Sequence, residues 1–221
     1  MVPPEPPPSP VDSVLDLAPV VPVLVVPDAS AAVPLARALA GAGLRAVEVT
    51  LRTPAALEAI RAIADQVPEA VVGAGTVIAP EQVAAAVAAG ARFLVGPGWT
   101  QGLLAATRGC PVPFLPGVST ASEVVALLER GVREMKFFPA QAAGGTAYLR
   151  SLAGPLPQAR FLPTGGIGPA NAAEYLSLPN VACVGGSWMA PADAVAAGDW
   201  ARIEALARAA AGIRGPASAQ V

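Results

Sequence analysis

Hydrophobic and polar positions divide this chain into two kinds of segment. Short runs rich in valine, typical of buried strands, alternate with longer alanine-rich segments of helical periodicity. From Val20 onward the alternation occurs eight times. The predicted strands cover residues 20–26, 46–50, 71–75, 93–96, 113–116, 134–138, 161–164 and 181–185.

The alanine-rich segments between the strands are predicted helices, several of which begin at serine or proline. They include residues 30–40, 54–66, 80–89, 122–130, 170–176 and 200–213. Eight strand-helix units predict an α/β fold in which parallel strands close into a (β/α)8 barrel. A short helix near residues 11–17, before the first strand, is expected to plug one end. The structural alternative is a doubly wound open sheet, which usually has fewer strands.

The two ends of the chain differ in composition from the part between them. Residues 1–10 read MVPPEPPPSP, which predicts a disordered proline-rich tail and fits neither a signal peptide nor a membrane anchor. We expect a single barrel domain at residues 11–214, and a second disordered tail at residues 215–221. No apolar run is long enough to predict a membrane span.

Composition narrows the classes of partner. The 221 residues are 54% hydrophobic and carry a net charge of −2, enough apolar material for a large core and no broad basic field for nucleic acid or an anionic membrane. A small-molecule partner is therefore expected. Two cysteines far apart form neither a disulfide framework nor a metal-ligand pattern, and they favour a cytoplasmic location.

Lys136 is the only lysine among fourteen basic residues, and it lies in an apolar predicted strand. A primary amine can lose its proton and attack a carbonyl, which a guanidinium in effect cannot do. Lys136 is therefore the leading candidate for a catalytic amine. The alternative is that an arginine-rich composition left one stray lysine.

Active-site groups of a parallel barrel project from the carboxyl ends of its strands. Glu48 alternates with Val47 and Val49, so it is expected to point into the barrel and to move protons beside the amine. The structural alternative is an inward ion pair between Glu48 and Arg52. Two glycine turns, Gly165-Gly166 and Gly185-Gly186, follow the seventh and eighth strands and predict a phosphate cradle, unless they only make tight turns.

Six motifs in order along the chain resemble those of the bacterial 2-keto-3-deoxy-6-phosphogluconate (KDPG) aldolases. They are VVPVLVV at 20–26, EVTLRT at 48–53, VGAGTV at 72–77, KFFPA at 136–140, PTGGI at 163–167 and GGSW at 185–188. The resemblance spans nearly the whole chain between its tails. It implies a cofactor-free, metal-independent class I aldolase with a TIM barrel fold, and a homotrimer by analogy.

The resemblance also implies roles for individual residues. Lys136 matches the Schiff-base lysine, and Glu48 the residue that manages protons. Arg52 and Thr76 match positions that hold the substrate carboxylate. Pocket positions correspond to Pro97, Phe138 and Thr164, and phosphate-binding positions to Gly165, Gly166, Gly186 and Ser187. Gln141 stands where the family pattern leads us to expect glutamate.

The implied reaction is reversible cleavage of KDPG to pyruvate and D-glyceraldehyde 3-phosphate. Relatives of the same fold act on 4-hydroxy-2-oxoglutarate (KHG) or on the galactonate epimer, and the pyruvate-binding motifs do not separate these substrates. Other classes stay open: a metal-dependent aldolase, a pyridoxal phosphate enzyme, and a cofactor-free sugar-phosphate isomerase or sensor. The absence of histidine argues against the metal-dependent class.

Overall fold

Parallel strands and helices alternate along the chain in the computed structural model, which describes residues 13–213. The predicted tails at residues 1–10 and 215–221 lie outside the described residues. The strands are β1 Val20–Leu24, β2 Ala46–Thr50, β3 Val71–Gly75, β4 Leu94–Val95, β5 Phe114–Leu115, β6 Gly117–Val118, β7 Glu134–Phe137, β8 Arg160–Pro163 and β9 Val184–Gly186. The α/β class predicted from the sequence is confirmed.

Nine α-helices connect these strands or follow them within the described residues. They are α1 Ala32–Gly41, α2 Ala56–Gln66, α3 Pro80–Ala88, α4 Gln101–Thr107, α5 Ala121–Leu128, α6 Gly145–Ala153, α7 Ala172–Leu176, α8 Ala192–Ala197 and α9 Trp200–Ala211. Side-chain caps fix several helix starts: Thr120 and Glu123 form a reciprocal capping box at α5, and Asp199 caps α9. None of the helices in residues 13–213 is both long enough and apolar enough to cross a membrane.

Alternating strand residues pack into two separate hydrophobic clusters. Val47 and Val49 of β2 join the cluster that contains helix residues such as Leu39 and Ile60. Ala46, by contrast, joins a smaller cluster built mostly from strands, which includes Phe93. Glu48 lies between the two valines, so it faces the same side as Ala46. The inward orientation expected for Glu48 is therefore observed.

The strands form two parallel sheets. The first has the order β5-β4-β3-β2-β1-β9, and the second has the order β6-β7-β8. A single residue, Pro116, separates β5 from β6. It interrupts the strand because proline has no N–H to donate to a strand ladder. Its carbonyl still accepts from the Lys136 N–H at 2.9 Å. Isolated parallel bridges pair Phe161 with Val181 and Thr164 with Gly185, next to β8 and β9.

A three-residue 3-10 helix, Val14–Asp16, precedes the first strand where a helix at residues 11–17 was predicted. Residues 11 and 12 lie outside the described range. Leu15 is fully buried and belongs to the strand-built cluster. The Ser13 hydroxyl donates to Glu134 Oε2 at 2.8 Å, and Arg160 binds both Glu134 and Asp16. These contacts attach the segment to the amino ends of β7 and β8.

Candidate active site

Lys136 and Glu48 form a buried ion pair. Lys136 Nζ lies 3.1 Å from Glu48 Oε1, and the two residues are 5% and 0% exposed. Lys136 belongs to β7 and Glu48 to β2, strands of different sheets, so their contact spans the space between the sheets. Burial of two charges is unfavourable unless they are paired, and each compensates the other here. The alternative Glu48–Arg52 pair is wrong, because Glu48 binds Lys136 instead.

The second carboxylate oxygen of Glu48 faces the same space without a partner. Glu48 Oε2 is buried and makes no hydrogen bond to the described part of the protein. A carboxylate oxygen in that state is costly, and such groups are often functional. One oxygen of Glu48 therefore holds the amine, while the other has no partner among the described residues.

Gly75 at the end of β3 makes room for this carboxylate. A Cβ atom on Gly75 would lie 2.2 Å from Glu48 Oε1 and 2.6 Å from its Cγ. No side chain fits there unless the carboxylate moves. Gly75 ends the strand predicted at residues 71–75, but the sequence pattern predicted no role for it.

Replacement of Gly75 by alanine is expected to lower kcat roughly 100-fold, because a displacement of about 1 Å at a reacting group can cost that much. The variant is to be measured in a steady-state cleavage assay after its fold has been checked by circular dichroism. Gly154→Ala is the matched control, since nothing lies within 4 Å of its added Cβ. Equal activity in the two variants would contradict the role of Gly75.

The two residues expected to hold a carboxylate lie just past the ends of β2 and β3. Arg52 is exposed, and it forms no ion pair with residues in the range 13–213. Thr76 is half-buried and has φ +58°, a left-handed conformation that β-branched residues rarely adopt. Strain of this kind persists where the surroundings impose it, and it is concentrated at functional sites.

Of the predicted pocket residues Pro97, Phe138 and Thr164, Phe138 lies beside the ion pair, and the other two pack against glycines of neighbouring strands. The Phe138 ring centroid lies 5.4 Å from Lys136 Nζ. Gly117 is level with Lys136 in the β6–β7 pair and packs against the backbone of Pro97. A Cβ atom added to Gly117 would lie 2.2 Å from the Pro97 carbonyl group. Thr164 is buried, and its hydroxyl occupies the place that a Cβ on Gly185 would need, 2.3 Å away.

The first predicted glycine turn, Gly165–Gly166, follows β8, whereas the second, Gly185–Gly186, is the end of the neighbouring strand β9 and makes no separate turn. Gly165 and Gly166 have φ +101° and +76°, which favours glycine at both positions. Gly186 packs under the Trp188 ring, and a Cβ on it would lie 1.9 Å from Trp188 Cζ3. The backbone N–H groups of Gly166 and Ser187 donate to no acceptor within residues 13–213. Free N–H groups at neighbouring strand ends are suited to binding an anion.

The comparison with protein families agrees with this geometry. The family model described as KDPG and KHG aldolase matches residues 11–206. This chain belongs to the KDPG and KHG aldolase family. The KHG/KDPG aldolase of Escherichia coli K12 is 54% identical to it over 197 residues, which cover 89% of this chain and 92% of the relative. The resemblance predicted from the six sequence motifs is confirmed.

Solved structures of KDPG aldolases superpose closely on this family member. The Legionella pneumophila enzyme, with pyruvate captured as a covalent carbinolamine intermediate, has a TM-score of 0.88 and 46% identity, over 90% of this chain and 97% of its own. The Zymomonas mobilis enzyme with 3-phosphoglycerate has a TM-score of 0.87 and 47% identity, over 94% and 98%.

Proposed function

We propose that this aldolase cleaves KDPG reversibly to pyruvate and D-glyceraldehyde 3-phosphate through a Schiff base on Lys136. The observation that carries the proposal is the buried contact of 3.1 Å between Lys136 Nζ and Glu48 Oε1. It combines the chain's single amine of this type with a carboxylate that can exchange protons with it. The metal-independent class I activity of the family fits this pair.

The first half of the proposed reaction forms the imine. The Lys136 amine gives its extra proton to Glu48 and attacks C2 of the keto acid. The resulting carbinolamine loses its hydroxyl as water, with a proton returned by Glu48. The product is an iminium that links C2 to Nζ. Low exposure of both residues keeps bulk water from competing for these protons.

The second half breaks the carbon–carbon bond. Glu48 takes the proton of the C4 hydroxyl, directly or through water, and the C3–C4 electron pair moves toward the iminium nitrogen. The aldehyde leaves, and an enamine of pyruvate remains. Protonation at C3 followed by hydrolysis then frees pyruvate and restores the amine. The partnerless Glu48 Oε2 is the oxygen available for this exchange.

The carboxylate and phosphate ends of the substrate are assigned to two regions of the site by the hydrogen-bond donors that each region offers. Arg52 offers a planar fork of donors, and Thr76 a hydroxyl, for the carboxylate beside C2. Among the described residues, the N–H groups of Gly166 and Ser187 are free and suited to the phosphate, and Gly165 and Gly186 belong to the same region. Pro97, Phe138 and Thr164 are proposed to line the path between them.

KHG is the second candidate substrate, and the name KHG/KDPG aldolase of the E. coli relative favours it. KHG has no phosphate, so it uses the amine, Glu48 and the carboxylate site without the glycine turns. We expect this protein to cleave KDPG with the higher kcat/KM.

Release of pyruvate from KDPG and KHG, coupled to lactate dehydrogenase, tests the proposal. We expect turnover of KDPG that EDTA leaves unchanged within about twofold, because the iminium, and not a metal ion, is the electron sink. Loss of activity in EDTA that added metal restores would contradict the class I route. Binding of KDPG without turnover would favour a sensor.

Three further proposals concern the closure of the barrel, the extent of the domain, and the location and oligomeric state of the protein. The strands are proposed to close into one (β/α)8 barrel, with β5 and β6 as a single strand interrupted at Pro116, and the bridges beside β8 and β9 support this. Residues 11–214 are proposed as one domain, and the family match at 11–206 supports it. The two separated cysteines support a cytoplasmic location. By family analogy we propose a homotrimer, which light scattering after size exclusion tests.

A further inference from the structure

Gln141 connects the segment after β7 to the first glycine turn. Its backbone N–H donates to the Gly165 carbonyl at 3.0 Å, and the N–H of Ala140 donates to the Thr164 carbonyl at 2.8 Å. The Gln141 side chain then turns to α7, where its Oε1 accepts from the Tyr175 hydroxyl at 2.9 Å. One residue therefore contacts both the turn and the helix that follows it.

Tyr175, the donor of this hydrogen bond, is held in place by the protein around it. The residue is 1% exposed, and among the described residues Gln141 is the partner of its hydroxyl. Burial, with a smaller effect of the Glu174 charge, raises the pKa of the Tyr175 phenol. The phenol therefore remains protonated at neutral pH and can donate. Because the ring is enclosed, its hydroxyl holds the Gln141 amide in one orientation.

Gly166 packs directly against the held side chain. A Cβ on Gly166 would lie 2.6 Å from Gln141 Cβ and 3.3 Å from its Cγ. On the other side, Asn171 Nδ2 donates to the Gly166 carbonyl at 3.0 Å. Gly166 is thus held between Gln141 and Asn171, while its own N–H stays free of described acceptors.

We propose that Gln141 and Tyr175 are positioning residues that orient the Gly165–Gly166 turn for the phosphate end of the substrate. They act through one hydrogen bond and set the preference for phosphorylated over unphosphorylated aldol substrates. This inference rests on the proposed function. Neither residue forms a hydrogen bond with Lys136 or Glu48, so we expect the pyruvate half of the reaction to be independent of them.

The variants Gln141→Leu, Tyr175→Phe and the double variant test this inference. Each single change removes one end of the hydrogen bond, and we expect KM for KDPG to rise about fivefold, the size of effect that one such bond supports. KM for KHG and the rate of deuterium exchange at C3 of pyruvate should stay within about twofold, since neither uses the turn. The double variant should match the single variants, because both act through the same bond.

Gln158→Leu is the matched control, because Gln158 is exposed and lies just before β8. It should leave both KM values and the rate of deuterium exchange unchanged. Equal increases in KM for KDPG and KHG, or additive effects in the double variant, would overturn the inference. Wild-type protein that exchanges no pyruvate deuterium would instead overturn the proposed function, and this inference with it.

Discussion

Replacement of Lys136 by arginine is expected to reduce kcat for KDPG cleavage at least ~10⁴-fold, equivalent to more than about 5 kcal/mol in the barrier. Arginine keeps the positive charge and can still pair with Glu48, so the loss reports on covalent chemistry and not on charge. A guanidinium cannot form the iminium. Steady-state release of pyruvate, followed over hours at high enzyme concentration, allows so low a kcat to be measured.

Arg133→Lys is the matched control for this variant. Arg133 is exposed and lies three residues before Lys136. A lysine there should leave kcat unchanged, and in the double variant with Lys136→Arg it should restore no activity. Activity of Lys136→Arg within tenfold of the wild type would remove Lys136 from the mechanism.

Replacement of Glu48 by glutamine is expected to lower kcat about 10²- to 10⁴-fold, the usual contribution of a general acid or base. Glutamine keeps the size of the side chain beside Gly75 but cannot exchange protons with the amine. Imine formation should become slow without being abolished, because Lys136 remains. Stopped-flow measurement of pyruvate binding, alongside steady-state cleavage, separates the two steps.

Glu134→Gln provides the same chemical change at a place outside the proposed site. Glu134 begins β7 and binds Ser13 and Arg160. Its pairs are partly exposed, so we expect a change of about 1 kcal/mol or less in the free energy of unfolding and none in kcat. If Glu48→Gln behaved like Glu134→Gln, another group would have to move the protons.

Much of the fold follows from sequence periodicity. The strands at β2 and β3 were predicted with their observed ends, because valine-rich runs buried on both faces are easy to recognise. Helices α4, α6 and α8 were given no bounds, since they are short or begin at glycine-rich positions. The first predicted strand extended to Val26 but ends at Leu24, and the fifth was predicted to end at Pro116, after which β6 continues. Such ends depend on ladder hydrogen bonds that periodicity does not report.

The candidate site divides in the same way. Lys136 and Glu48 could be identified because each is a charged residue in an apolar strand, and alternation gives the direction of Glu48. Both the amine and Arg52 were expected as partners of Glu48, and alternation along one strand could not decide between them, because the observed pair joins residues 88 positions apart. The roles of Gly75 and Gln141 could not be predicted, because both depend on contacts across the fold.

Reduction of the protein with borohydride in the presence of pyruvate shows whether Lys136 forms a Schiff base. Intact mass spectrometry gives the stoichiometry, and peptide mapping locates the modified residue. We expect one pyruvate-derived adduct per chain on Lys136, absent from Lys136→Arg. Folded wild-type protein that forms no adduct, or forms one elsewhere, would contradict the Schiff-base mechanism.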